Sequence, residues 1–143
     1  MKYFMCIVIL AVVALVQADD WSPKTVEEIK SIREECMKQV PSTDEEFQKR
    51  KENDYPDVES VRKYALCNSK GWGLYKEGKG FYADRVAEQF KDDMPEDEIK
   101  TIVHDCDEKT KEDTDDERCY HLLKCVMTTK LGDHVKSLIK RSE

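Results

Sequence analysis

Hydrophobic residues recur at helical spacing along most of the chain after residue 20. The first stripe predicts an amphipathic helix that ends at Pro41. The members of this stripe are Val26, Ile29, Ile32, Cys36 and Val40. The helix has two candidate starts, one with Ser22 as the cap and one with the capping pair Thr25 and Glu28.

Two further helices are predicted after this proline. A polar run at 42–46 starts a short helix whose main apolar anchor is Phe47. Pro56 breaks that helix, and Asp57 is the predicted cap of the next one. The third helix is predicted to end in a glycine-flanked turn that begins at Gly71.

The second half of the chain repeats the helical pattern. Helices are predicted over 81–91, after Pro95, over 119–129 and from Gly132 onward, with a charged linker at 107–117. No segment alternates with period two over a useful length, so no strand is predicted. The pattern therefore predicts an all-α fold of six or seven short helices.

The amino terminus has the features of a secretion signal. Lys2 precedes an unbroken apolar run that is too short for a comfortable membrane span, and Ala18 suits a signal peptidase. We expect residues 1–18 to be removed together with Cys6. Residues 19–143 should then form one soluble, secreted, extracellular domain without stable membrane insertion.

The negative net charge limits which classes of molecule the protein can bind. The full chain carries a formal net charge of −7, and loss of the signal removes one further positive charge. Nucleic acid and anionic membrane surfaces both attract positively charged proteins, so they are excluded as partners. Apolar residues make up about a third of the chain after the signal, below the ~45–50% typical of globular domains. Such a thin core needs disulfides, which an oxidising compartment supplies.

Five cysteines follow the signal, and their positions on predicted helices limit how they pair. Cys119 and Cys125 lie on one predicted helix, about 9 Å apart along its axis and on different faces, so they should not join. We expect Cys36, Cys67, Cys106 and Cys125 to form two bridges between helices. Cys119 is then the odd cysteine, and we interpret it as a buried small hydrophobic residue rather than a reactive or intermolecular thiol.

The spacing Cys36-x30-Cys67-x38-Cys106-x18-Cys125 behind a signal peptide resembles that of the insect odorant-binding proteins, the pheromone- and general-odorant-binding family. The segments 63–67, 70–74 and 120–131 also resemble the third helix, its following turn and the sixth helix of that family. Two cysteines of the six-cysteine pattern are replaced here by Lys63 and Asp116, a loss typical of the Minus-C subgroup.

The resemblance implies the bridges Cys36–Cys67 and Cys106–Cys125 and an apolar cavity for odorants, pheromones, fatty acids or similar lipids. It also implies a receptor as a candidate partner and a monomer or weak dimer, with no cofactor and no catalysis. The predicted ligand-contacting wall consists of Val61, Trp72, Leu74, Phe90, Met94, Ile102, Leu122, Leu123, Val126, Leu138 and Ile139. The alternative is that these side chains only pack against each other as core.

Three histidines and an acidic run are the remaining candidates for a functional role. His104, His121 and His134 could couple acidification to ligand release, although solvated surface histidines are the simpler interpretation. The His104-Asp105 pair resembles a fragment of a secreted phospholipase A2 site, but the chain lacks the flanking cysteines and the calcium loop of that family. No metal site is expected, because the Asp113 run lacks the glycine and glutamate of a calcium loop. The functional alternatives to a carrier are a body-fluid interaction protein without an internal ligand and a phospholipase A2-like hydrolase.

Overall fold

The computed structural model describes residues 20–143, and the predicted signal lies outside this range. In chain order the elements are α1 (Val26–Gln39), α2 (Asp44–Lys51), α3 (Glu59–Gly71), β1 (Tyr75–Lys76), β2 (Gly80–Phe81), α4 (Ala83–Phe90), α5 (Glu96–Glu108), α6 (Asp115–Met127) and α7 (Lys130–Arg141). The prediction of an all-α fold with six or seven short helices is confirmed. Within residues 20–143, no helix is long and apolar enough to cross a membrane.

Reciprocal capping starts the first two helices. The Thr25 hydroxyl accepts a hydrogen bond from the Glu28 backbone N–H at 3.2 Å, and the Glu28 carboxylate accepts from the Thr25 N–H at 2.8 Å. Thr43 and Glu46 repeat this arrangement at the start of α2. Each box satisfies backbone donors that the helix itself leaves unpaired. Of the two candidate starts for α1, the structure uses the capping pair.

Helix α6 begins earlier than the charge pattern predicted. The prediction placed a charged linker over 107–117, whereas α5 extends to Glu108 and α6 starts at Asp115. The reason is a third capping pair, in which the Glu117 carboxylate accepts from the Thr114 N–H at 3.2 Å. Acidic residues in a first turn also favour a helix, because they oppose the positive end of its dipole.

The predicted cap of α3 is wrong. Its N-cap is Val58, which offers no side-chain hydrogen bond to the helix. The Asp57 carboxylate instead accepts a hydrogen bond from Arg62 Nη1 at 2.6 Å. An aspartate near a helix start thus serves here as an ion-pair partner of the first turn.

A short hairpin occupies a segment for which no strand was predicted. Tyr75 pairs with Phe81 and Lys76 with Gly80 in an antiparallel register. Gly78 and Gly80 both have positive φ, 71° and 107°, which lets the chain reverse within three residues. Two-residue strands are too short for a period-two pattern, so the sequence carried no strand signal.

The sequence predicted that Gly132 begins the last helix. In the structure, α7 begins at Lys130 and Gly132 lies inside it. An added Cβ at this position would lie 2.6 Å from both the Met127 Cα and the Val126 backbone oxygen. The glycine therefore allows the first turn of α7 to lie directly against the end of α6.

Two disulfides connect neighbouring helices. Cys36–Cys67 joins α1 to α3, and Cys106–Cys125 joins α5 to α6, each with a Cα–Cα distance of 5.8 Å. The expected two bridges are thus present, with the pairing that the resemblance implied. The most extensive helix contacts are α3 with α6 and α4 with α5.

An ionic contact connects α3 and α6 near the two positions where the six-cysteine pattern would place a third bridge. Arg62 Nε lies 3.7 Å from the Asp116 carboxylate, in addition to the bond from Arg62 to Asp57. Lys63 pairs with Glu59 within α3. The Arg62–Asp116 ion pair therefore connects α3 and α6 near these two positions.

The buried hydrophobic residues form two clusters rather than one. The larger cluster draws on α1, α4, α5, α6 and α7 and includes Ile29, Ile99 and Leu131. The smaller cluster lies between α3, the hairpin and α6 and includes Val61 and Tyr120. A small domain usually has one contiguous core. The division of this core leaves room between its two parts.

We expect the Cys106–Cys125 bond to contribute about 3 kcal/mol to the free energy of unfolding, because it closes a loop of 19 residues in the unfolded chain. The double variant Cys106→Ala/Cys125→Ala should lose that amount in urea denaturation. Cys119→Ala is the matched control, since it removes a buried sulfur without removing a crosslink. Equal losses in the control and the double variant would contradict this prediction.

Gly132→Ala should lower the free energy of unfolding by about 1–3 kcal/mol, since the new methyl group overlaps the α6 backbone. The loss should occur even though alanine favours helices more than glycine does. Ser137→Ala, at an exposed position of the same helix, should change stability by less than about 0.5 kcal/mol. Thermal unfolding of both variants measures the difference, and a stabilised Gly132→Ala protein would refute the close contact.

Candidate ligand-binding site

A cavity of about 140 Å³ lies between the two hydrophobic clusters. Residues of both clusters contribute to its wall, with Val61 and Ala65 from the smaller and Phe90 and Val126 from the larger. An engineered apolar cavity of about 150 Å³ stays dry and binds benzene. The interior is thus large enough for a small apolar guest.

Most of the wall is apolar. The apolar side chains of the wall come from α3 to α7, from the hairpin and from the segments around them. The apolar lining residues are Tyr55, Val61, Tyr64, Ala65, Trp72, Leu74, Phe81, Val86, Phe90, Val103, Cys119, Leu122, Leu123, Val126, Leu131, Val135 and Ile139. Such a surface suits hydrocarbon and aromatic groups, with orientation left to a few polar groups.

The structure brings eight of the eleven predicted wall residues to this cavity. These are Val61, Trp72, Leu74, Phe90, Leu122, Leu123, Val126 and Ile139. The other three, Met94, Ile102 and Leu138, belong to the larger cluster or pack against it and do not line the cavity. Contact of any of the eleven with a ligand stays a prediction.

Ile102 and Leu138 do not line the cavity, but a direct neighbour of each along its helix does. On α5, Val103 lines the cavity in place of Ile102, and on α7 Val135 and Ile139 line it while Leu138 packs into the larger cluster. Neighbouring helix residues point about 100° apart, so one step along the chain moves a side chain off a face. The spacing of Leu131, Val135 and Ile139 was the available signal for the α7 face.

One part of the wall is polar. Arg33 of α1 and Arg50 of α2 line the cavity together with Asn68 and Ser69 of α3. Burial raises the pKa of the nearby Tyr55 hydroxyl to about 12, and the positive charges of the two arginines oppose that rise. The charged groups that act on this hydroxyl are Arg33, Arg50 and Glu143, so this end of the cavity carries charges of both signs. Sequence reasoning missed it, because a charged residue on a helix usually faces solvent.

Two buried N–H donors of the wall have no hydrogen-bond acceptor within the described residues. These are Trp72 Nε1 and Arg50 Nη1, on side chains that are only 8% exposed. An unsatisfied buried donor costs about 1–3 kcal/mol. An oxygen acceptor that came within reach of either donor would remove this cost.

Cys119 is a free, fully buried cysteine of α6 in the cavity wall. Its burial confirms the interpretation of this residue as a small hydrophobic side chain. Burial also raises the pKa of its thiol to about 12. Since the thiolate is the reactive form, this sulfur is chemically inert at physiological pH.

The three histidines lie outside the cavity wall. His104 is exposed on α5 beside Asp105, at 3.6 Å, and His121 Nδ1 lies 2.7 Å from Asp113. His134 faces Asp93 at 3.8 Å. None of these pairs touches the interior, so a role in ligand release stays a prediction without geometric support.

The acidic run around Asp113 is occupied by hydrogen bonds to protein groups. Asp115 accepts hydrogen bonds from the Tyr75 hydroxyl and from the Gly78 N–H, the latter at 3.1 Å. The hydrogen bond from Tyr75 is the main cause that lowers the pKa of Asp115. Among residues 20–143, no three histidine, cysteine or acidic side chains are grouped to hold a metal ion.

Helices crosslinked around an apolar cavity define the class of small helical binding proteins. Comparison with protein families identifies the family: residues 18–129 match the PBP/GOBP family. The chain belongs to this family. General odorant-binding protein 99b of Drosophila melanogaster is 29% identical over 136 residues, which cover 87% of this chain and 91% of that protein. The resemblance found in the cysteine spacing is therefore confirmed at the level of the family.

We expect the Cys119 thiol to be unreactive in the native protein. At pH 8 a thiol of pKa about 12 is ionised in roughly one molecule in ten thousand, against about a quarter at the unfolded pKa of ~8.5. An aromatic disulfide reagent should therefore react with no thiol of the native protein within minutes. In guanidinium, the same reagent should react with one thiol per molecule. Rapid native reaction would contradict the burial, and three thiols in guanidinium would show that one bridge is missing.

Proposed function

We propose that this protein is a secreted carrier that binds small hydrophobic ligands in the cavity between its two hydrophobic clusters. The observation that supports this most is the division of the core, which leaves a mostly apolar space that the chain's own side chains do not fill. Membership of the PBP/GOBP family and the name of the Drosophila relative point the same way. The ligands would be odorants, pheromones, fatty acids or similar lipids.

Binding in this cavity needs no catalytic group. Burial of a ligand's apolar surface releases about 25 cal/mol per Å² removed from water. The crosslinked helices position the wall in advance, so little conformational entropy is lost on binding. The protein would thus take up a sparingly soluble molecule, carry it through an aqueous fluid and release it unchanged.

The remaining parts of the proposal concern location and partners. The segment 1–18 supports secretion, since its charge and apolar run are those of a signal peptide. A receptor would be a partner for ligand delivery. Membership of the Minus-C subgroup is supported by Lys63 and Asp116 at the two positions where the six-cysteine pattern has cysteines.

Filling the cavity should abolish binding. Ala65 is a buried wall residue of α3, and Ala65→Phe would place a ring in the space that a guest occupies. The fluorescent apolar probe N-phenyl-1-naphthylamine should bind the wild-type protein and lose at least about tenfold in affinity with the variant, the loss that ~1.4 kcal/mol produces. Fluorescence titration measures both constants, and far-UV circular dichroism checks the fold.

Ala83→Phe is the matched control for this test. Ala83 begins α4 and packs, partly buried, against the larger cluster without lining the cavity, so the same ring added there should leave probe binding within about twofold. Equal binding by both variants would mean that the probe binds elsewhere. No binding by the wild-type protein would refute the carrier function and favour an interaction protein without an internal ligand.

A further inference from the structure

Two arginines occupy the boundary between the interior cavity and a groove on the surface. Arg33 and Arg50 line the cavity, and both also line a groove of about 190 Å³ formed by α1, α2 and the end of α7. Tyr64 also lines both the cavity and the groove. The guanidinium groups therefore lie where a molecule in the cavity would reach the surface.

Neither arginine forms an ion pair within the described part of the chain. Arg33 Nη1 donates to the Ile139 carbonyl at 3.2 Å and to the Ser142 hydroxyl at 2.8 Å. Arg50 Nη2 donates to the Ser42 hydroxyl at 2.9 Å, and its Nη1 is buried without an acceptor. All of these acceptors are neutral, so neither guanidinium is hydrogen-bonded to a carboxylate within the described residues.

Two other arginines of this acidic protein are paired with carboxylates. Arg118 donates two hydrogen bonds to Asp107, at 2.7 and 2.8 Å, and Arg62 donates to Asp57. Acidic side chains also stand in the groove wall, among them Glu143, whose main-chain oxygen is bonded to Lys30. The unpaired state of Arg33 and Arg50 is therefore not caused by a shortage of acidic residues.

Arg50 is held in place by aromatic rings. Its Cζ lies 4.2 Å from the centre of the Tyr64 ring and 6.0 Å from that of Phe47. Stacking on a ring face fixes the plane of a guanidinium and partly removes water from it, while its N–H edge is left for an acceptor. A carboxylate matches that edge, since its two oxygens accept parallel N–H bonds.

We propose that Arg33 and Arg50 bind the carboxylate of an amphiphilic ligand whose apolar portion fills the cavity. This inference rests on the proposed function and gives it a ligand class, the monocarboxylates of medium chain length. The carboxylate supplies the acceptor that Arg50 Nη1 lacks and compensates the charge at the boundary. A neutral ligand of equal length fills the same cavity without this gain.

Calorimetric titration with octanoate, octan-1-ol and methyl octanoate at neutral pH tests the proposal. A hydrogen bond to a charged group contributes about 1.5–3 kcal/mol, so octanoate should bind at least about tenfold more tightly than the alcohol or the ester. Arg50→Gln should remove this preference, so that octanoate and octan-1-ol then bind with similar affinities. Arg33→Gln should also weaken octanoate selectively, whereas a purely structural role would weaken all three ligands equally.

Lys49→Gln is the matched control. It removes the same charge from α2, from a side chain that pairs with Glu45 and lies outside both cavity and groove. Octanoate affinity should be unchanged in this variant. Equal affinity of the wild-type protein for octanoate and octanol would overturn the inference, and so would an equal loss in the Lys49 and Arg50 variants. Naphthylamine binding without a carboxylate preference would refute this inference alone, whereas no binding of any ligand would refute the carrier function as well.

Discussion

The interior stays hollow because helix α6 is held from several sides at once. One face contributes Cys119 and Tyr120 to the smaller cluster, and another contributes Leu122 and Val126 to the larger one. The disulfide to α5, the contact with α3 and the close approach of α7 together restrain its position. Collapse onto either cluster would strain these attachments. The cavity is thus the space that the restrained helix cannot close.

The cavity combines two environments that act on different parts of a ligand. Its apolar wall attracts hydrocarbon without directional preference, so it sets the size and shape of a guest. Its polar end offers directional N–H groups on Arg50 and Arg33, which under the proposal above would orient a guest and select its headgroup. Affinity and selectivity would therefore be separable by mutation, since they depend on different residues.

How well the sequence predicted the structure depended on how local each signal was. Helices, one candidate cap of α1 and the family were readable, because a stripe such as Val26 to Val40 or a pair such as Thr25 and Glu28 is defined within a few residues. The face of α5 was predicted one position away, at Ile102 instead of Val103. The polar end was not predictable, because Arg50 becomes special only through long-range packing against Tyr64.

The contact of Arg62 with Asp116 has a consequence for how the protein responds to its surroundings. Covalent bonds between helices are insensitive to dissolved salt, whereas attraction between partly exposed charges weakens as counterions accumulate around them. The ionic part of the contact between α3 and α6 therefore weakens as the salt concentration rises, while the hydrophobic cluster between these helices is not screened. Since both helices form walls of the cavity, a high salt concentration would loosen the cavity wall without acting on the apolar interior itself.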